Sequence, residues 1–286
     1  MSDRLVARAP GAQSIRVLTL NIYGKNADWP SRLAVIQNGL DLLRPDLVAL
    51  QETVVRAGDD QVAELFGVEW HVAHAANSSG NRAGVSIVSR YPIASVHELE
   101  LPLSSRDPEF QYTTLVAKVI APPPIGTILF VNHFPDASPP HEHLRERQAV
   151  VAARYIEKYM SGNEVHVVLA GDLDAELDAA SVRFLTGRQS LEGVSVCYRD
   201  AWEWLHPEHE ARTYTRRNAL MASHNAAWPF ECIDHIFVRC GRHGRPTLDI
   251  VSCDVVFNEP VDGVWASDHY ALVADLSLPV PAIDDH

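Results

Sequence analysis

Val167-Val168-Leu169-Ala170-Gly171-Asp172-Leu173-Asp174 passes from a wholly apolar run into two carboxylates within three residues. A short apolar run of this kind reads as a buried strand. The acids stand at its exit, and the same design recurs on either side of it. Leu18-Thr19-Leu20 ends at Asn21, Val48-Ala49-Leu50 at Gln51-Glu52, and Ile128-Leu129-Phe130-Val131 at Asn132-His133. Ile233-Asp234-His235-Ile236-Phe237 carries an acid inside an apolar strand, and Ala266-Ser267 leads into Asp268-His269 ahead of a final strand. Ligands of α/β sheets sit outside strand ends, because a rigid scaffold can aim several side chains at one point there. A carboxylate buried in an apolar strand is costly unless paired, so Asp234 requires a partner.

Around these strand ends the chain alternates. Ser14–Asn21 is rich in β-branched residues and reads as a strand. Asp28-Trp29-Pro30 opens a helix on which Leu33, Ile36, Leu40 and Leu43 recur at helical spacing, stopped by Pro45-Asp46. Further strands are expected at 47–51, 84–89, 112–120, 127–133, 164–170, 232–238, 248–257 and 269–278, with a helix over 142–160 ended by Gly162. The stretches 76–82, 103–110, 134–143 and 206–230 read as irregular, and the last is long for a structureless loop. Helices alternate with strands early, while consecutive strands dominate the middle and the end. That mixture predicts one α+β domain over 14–279 with two sheets, each covered by helices, flanked by a flexible segment 1–13 and a tail 280–286.

Composition narrows the function. The chain has 286 residues, 47% hydrophobic and 21% charged, enough to bury a core without a staple. Lys and Arg number 24 against 37 Asp and Glu, a formal charge of −13, which opposes sequence-independent nucleic-acid binding and favours a small substrate. No run approaches the roughly 18 apolar residues of a membrane span. The opening MSDRLVARAPGAQS has no apolar segment of a secretory signal, so a cytoplasmic location is expected. Cysteines at 197, 232, 240 and 253 form no C-x-x-C pair and read as free thiols.

The ordered set LTLN (18–21), LQE (50–52), GVSIVSRYPI (84–93), VNHFPD (131–136), LAGDLD (169–174), IDHIFV (233–238) and SDH (267–269) resembles the endonuclease/exonuclease/phosphatase superfamily of DNase I-like enzymes. The resemblance implies a four-layer α/β/β/α sandwich and hydrolysis of phosphoesters with Mg²⁺ or Mn²⁺. By the same resemblance Glu52 is a metal ligand, with Asp268 and Asn21 near the metal. Asp172 orients or deprotonates the attacking water, His269 contacts the phosphoryl group, Asp234 is its hydrogen-bonded partner, and His133 is a second histidine donor. The chemistry agrees, because the reaction needs a hard cation, an aligned water, a base and donors for a charged transition state.

One position departs from the pattern. The family's G-D-x-N ends here in Asp174, and a carboxylate beside a phosphate is repelled unless neutralised. Asp174 therefore either helps hold a second metal ion or carries a raised pKa and donates as a neutral acid. For the substrate, Arg216 and Arg217 with Tyr214 form the candidate gripping loop, and Trp202, Trp204 and Trp228 the candidate organic pocket. His141 and His143 follow the His133 strand. The expected activity is hydrolysis of a small phosphomonoester or phosphodiester. A nuclease acting on DNA or RNA is the alternative, and a non-catalytic binding module of the same fold is a second. Such a module would be expected to lose Glu52, Asp172 or His269, and all three are present.

Overall fold

Three seams of apolar side chains hold four layers together. The structure is a computed structural model and describes residues 14–76, 83–101, 112–160 and 166–279. The expected flanking segments 1–13 and 280–286, and Gly162, lie outside the described residues. In chain order the elements are β1 (Ser14–Asn21), α1 (Trp29–Leu43), β2 (Leu47–Thr53), β3 (Val55–Arg56), β4 (Asp59–Asp60), α2 (Gln61–Phe66), β5 (His71–His74) and β6 (Gly84–Ser89). Then come β7 (Ile93–Glu100), β8 (Thr113–Ile120), β9 (Thr127–Phe134), α3 (Glu142–Tyr159), β10 (His166–Asp172), α4 (Ala180–Leu185), β11 (Tyr198–Asp200), α5 (Ala201–Leu205), α6 (Ala219–Asn225), β12 (Asp234–Arg239), β13 (Asp249–Val256) and β14 (Ala271–Ser277).

Two six-stranded sheets run in the orders β13-β14-β1-β2-β6-β5 and β11-β12-β10-β9-β8-β7. Each has one parallel pair at its centre, β1 with β2 and β9 with β10, joined through α1 and α3. The alternation along each strand decides the layering. Val17, Ala49, Phe130 and Ala170 point into the seam between the sheets. Leu18, Leu20, Val48 and Leu50 point outward onto Ile36, Leu40 and Leu43 of α1. Leu129, Val131, Val167 and Leu169 meet Ala149, Val150, Ala153 and Ile156 of α3. The expected α/β/β/α sandwich is what forms. Among the described residues no helix is long and apolar enough to cross a membrane.

Two features bring the strand ends into line. Gln51 Nε2 donates to Asn132 Oδ1 at 2.8 Å across the sheets, and Asn132 Nδ2 donates to Leu50 O and Ser86 O at 2.9 and 3.0 Å. All these groups are buried, so the bonds tie β2 to β9 in one relative position. At Gly171 a Cβ would stand 2.0 Å from His133 O, so only glycine allows β10 to lie this close to β9.

Several boundaries differ from expectation. β2 does not stop at Gln51 but continues to Thr53 through a bulge at Glu52, whose φ is +58°. Asp234 opens β12 rather than lying within a longer strand; it pairs with Asp172, while Leu173 N–H donates to Ile233 O at 2.8 Å. The long segment 206–230 contains α6, started by Asn218, whose side chain accepts from Leu220 N at 3.0 Å.

Candidate active site

The functional side chains come from five segments that end at one rim of the sandwich. Asn21 closes β1, Glu52 sits on the β2 bulge, Asp172 closes β10, Asp234 opens β12, and Ser267-Asp268-His269 precedes β14. The bulge explains Glu52. In a regular strand its side chain would follow the pleat, and the extra residue re-aims it. Its positive φ and that of Asp174 (+49°) are strained conformations held by the surrounding structure, as is common where a side chain must point at a ligand.

His269 lies between two acids. Its Nδ1 is 3.0 Å from Asp234 Oδ2, and its Nε2 is 3.8 Å from Asp172 Oδ2. Asn21 Nδ2 donates to both Glu52 Oε1 and Asp172 Oδ2 at 3.0 Å, while Asn21 Oδ1 accepts from Tyr23 N. Asn21 thus arranges the two carboxylates, and its own oxygen is engaged with the backbone. Ser267 Oγ stands 2.7 Å from Asn21 O and 3.2 Å from Asp268 Oδ1. Asn218 Nδ2 donates to the carbonyls of Ser267 and Asp268, which holds the S-D-H turn against α6.

Of these groups Glu52, Asp172, Asp268 and His269 line a cavity of about 380 Å³, together with Asp174 and Tyr214 among others, while Asn21 and Asp234 stand behind its wall. Tyr214 packs its ring over His269, with centroids 4.4 Å apart. Arg216 and Arg217 are exposed and do not line the cavity, so of the expected gripping loop the fold brings only Tyr214 to it. Trp228 lines it, whereas Trp202 lines a separate acidic cavity and Trp204 is exposed. His133 is buried with Nδ1 2.8 Å from Thr114 Oγ1 and is not part of the lining. His141 pairs with Asp136 at 2.9 Å. Sequence reasoning missed Tyr23, Asn26, Phe134, His224 and Asn225 on the cavity wall. His224 and Asn225 ride on α6, which Asn218 as a helix-opening residue could have signalled; Tyr23 and Phe134 carry no local signal.

Burial and mutual repulsion perturb the acids. Burial and then Asp268 push the Glu52 carboxyl up to about 7. Burial and then Asp234 push Asp172 up to about 6. Asp174 is raised well above the ordinary carboxylate range by burial and by Asp172, and its buried Oδ2 has no hydrogen-bond partner. For His269 burial opposes the charge, but Asp234 and Asp172 outweigh it and hold the ring's pKa well above its ordinary value. His133, with no such neighbour, is driven by burial down to about 4 and is neutral.

A hard divalent cation fits this donor set. Glu52 and Asp268 face the cavity, and Asp268 disfavours charge on Glu52, so a cation between them would relieve a repulsion already present. Asp172, Asp234 and His269 also bring ligand-type atoms within 4.8 Å of one another. Within that trio the imidazole hydrogen-bonds Asp234 through Nδ1, while Nε2 stands only within ion-pair distance of Asp172 at 3.8 Å. No comparable convergence including Asp174 occurs among the described residues.

A stability consequence follows from the signs. Glu52 and Asp172 bind a proton more tightly folded than unfolded, where their values are 4.5 and 3.8. Their contribution is whole below those values and is lost as pH rises through about 6 to about 7. His269, also raised, acts in the same direction. In EDTA the melting temperature is expected to fall between about pH 5 and about pH 7.5, and added Mg²⁺ or Mn²⁺ to restore it at the upper end. A flat profile would contradict the assigned shifts.

Known proteins resemble this chain in sequence and in fold. A family model described as the Endonuclease/Exonuclease/phosphatase family matches residues 18–269. A Drosophila melanogaster protein named "Putative neutral sphingomyelinase" is 27% identical over 284 residues, covering 92% of this chain; the chain spans 61% of that relative's length. Danio rerio TDP2, solved with a single-strand DNA product, matches with a TM-score of 0.72 at 19% identity, covering 93% of this chain and 99% of that one. The human Nocturnin catalytic domain with bound sulfate gives 0.69 at 17%, covering 93% and 95%. An endonuclease/exonuclease/phosphatase from Bacteroides vulgatus gives 0.68 at 20%, covering 93% and 99%. At these identities the solved structures speak for the fold alone.

Proposed function

Because the chain belongs to the endonuclease/exonuclease/phosphatase family, we propose that it hydrolyses a phosphoester of a small molecule with Mg²⁺ or Mn²⁺ bound. The observation that carries this reading is a histidine oriented from behind by Asp234 that shares one cavity wall with Asp172, Glu52 and Asp268. Glu52 and Asp268 would hold the cation. Bound there, it would supply charge neutralisation at the phosphoryl and leaving oxygens.

The chain's own residues do the rest. Asp172, with a carboxyl near neutrality, takes the proton of the attacking water. Asp234 keeps the His269 ring in one orientation, and its charged form donates to a phosphoryl oxygen. Asn21 spaces Glu52 from Asp172. Asp174 acts as a neutral acid, donating where the family pattern has an asparagine; its raised pKa and unpartnered oxygen support this over a second metal ion. Tyr214 contacts the substrate beside His269. His133, neutral and outside the lining, packs with its ring on Thr114 and serves the scaffold. Arg216 and Arg217 would touch only a substrate that extends beyond the cavity.

A nuclease is the second reading, favoured by the DNA product held by the similarly folded TDP2 structure. The charge of −13 weighs against it. The test is a panel of phosphomonoesters, phosphodiesters including a choline phosphodiester, and labelled DNA and RNA oligonucleotides, each with Mg²⁺, Mn²⁺ or EDTA. Cation-dependent cleavage of small esters with intact oligonucleotides is expected. Cleaved oligonucleotides would establish the nuclease, and no turnover of any member would favour the binding module.

A further inference from the structure

His235 stands on β12 next to Asp234, and its side chain leaves the opposite face of the strand. It is 3% exposed. Its Nδ1 is 2.9 Å from Asp200 Oδ2, and its Nε2 is 2.9 Å from Ala175 O. With Asp200 ionised, the carboxylate and the carbonyl are both acceptors, so both ring nitrogens donate and the ring is doubly protonated. The ring is further fixed by stacking on Phe237, with centroids 5.2 Å apart and planes 15° from parallel. Asp200 is itself anchored, since its Oδ1 accepts from Glu203 N at 2.8 Å as the cap of α5.

The far end of this tether is the informative one. Ala175 follows Asp174, whose backbone is in the left-handed region at φ +49°. The segment Asp172–Ala175 leaves β10 and is clipped twice to the chain at the start of β12: Leu173 N donates to Ile233 O, just ahead of the strand, at 2.8 Å, and His235 donates to Ala175 O. The first clip sets Asp172 opposite Asp234. The second holds the strained Asp174 turn so that its carboxyl faces the cavity.

We infer that His235 is a positioning residue for Asp172 and Asp174, acting as a double donor between Asp200 and Ala175 O. The inference rests on the phosphoester reading above. A purely structural histidine would contribute to stability and leave turnover below the melting transition unchanged. A positioning histidine affects the chemical step, because small displacements of catalytic groups cost about a hundredfold.

The experiment compares the wild-type protein with His235→Gln and Asp200→Asn, using bis(p-nitrophenyl) phosphate and Mn²⁺ well below each protein's melting temperature. Each variant is expected to lose kcat by about tenfold to a hundredfold with KM nearly unchanged. Wild-type kcat in a folded His235→Gln variant overturns the inference. Should the variants not fold, ring ¹⁵N resonances of the wild-type protein decide. Protons on both nitrogens of His235 near neutral pH support the double donor, and a single protonated nitrogen overturns it. A wild-type protein inactive on every ester of the panel would instead overturn the parent reading, and the ring resonances would still report on the tether.

Discussion

Asp172→Asn and His269→Ala are each expected to reduce turnover by about 10²- to 10⁴-fold while the chain remains folded, the range a positioned acid or base contributes. The first variant removes the proton acceptor and one hydrogen bond, because an amide keeps the shape but its single oxygen can accept from Asp174 N, now 3.2 Å from Oδ1, or from Asn21 Nδ2, now 3.0 Å from Oδ2, and not from both. Burial and Asp234 already disfavour the charged form of Asp172, so the neutral replacement offsets that lost bond and the chain is expected to stay folded. His269→Ala removes the donor that Asp234 orients, and leaves Asp234 without its 3.0 Å partner. That variant is expected to lose some stability, since an unpaired buried carboxylate is costly. The two substitutions act on one unit, so the double variant should be far less impaired than the product of the single losses. The measurement is kcat on the best ester of the panel, with circular dichroism melts of each variant. Near-wild-type turnover in either would remove that residue from the chemistry.

Gly171→Ala should produce the largest loss of stability of any glycine substitution near the site. The added Cβ would meet His133 O at 2.0 Å, with His133 C at 3.0 Å and N at 3.2 Å. These are backbone atoms of a central strand, so no side chain can rotate away, and β9 and β10 must separate. Overpacking of this kind costs about 3 kcal/mol or more. Because Asp172 is the next residue, turnover should fall as well. Gly58→Ala is the control: its φ is +80° and nothing lies within 4 Å of the added atom. It carries only the conformational cost of about 1 kcal/mol. Urea unfolding midpoints compare the two, and equal losses would show that the β9–β10 approach is not a constraint.

Strands, layers and most of the rim residues were legible because they depend on short-range patterns. Leu18-Thr19-Leu20 before Asn21 and Val167–Ala170 before Gly171-Asp172 announce a buried strand and a polar exit without reference to the rest of the chain. The β12 boundary was drawn too early, since apolar character alone does not show that Ile233 is the residue clipped by Leu173. Arg216 and Arg217 read as gripping residues from charge, but the turn that brings Tyr214 over His269 leaves both in solvent.

Sequence alone thus indicated two sheets covered by helices and the ordered polar exits, because hydrophobic alternation and residue type are local properties, and the family resemblance of those exits implied the four layers and the kind of chemistry. Tertiary structure decided which of those exits meet. The 3.0 Å contact of His269 with Asp234 joins residues 35 positions apart, and that of Asn21 with Asp172 joins residues 151 apart. It also decided that Glu52 turns on a bulge, that His133 is a buried neutral ring against Thr114, and that His235 reaches back to Ala175. The physical reason is common to all of these. A side chain's direction, burial and pKa are set by neighbours that packing supplies, and the local sequence does not encode them.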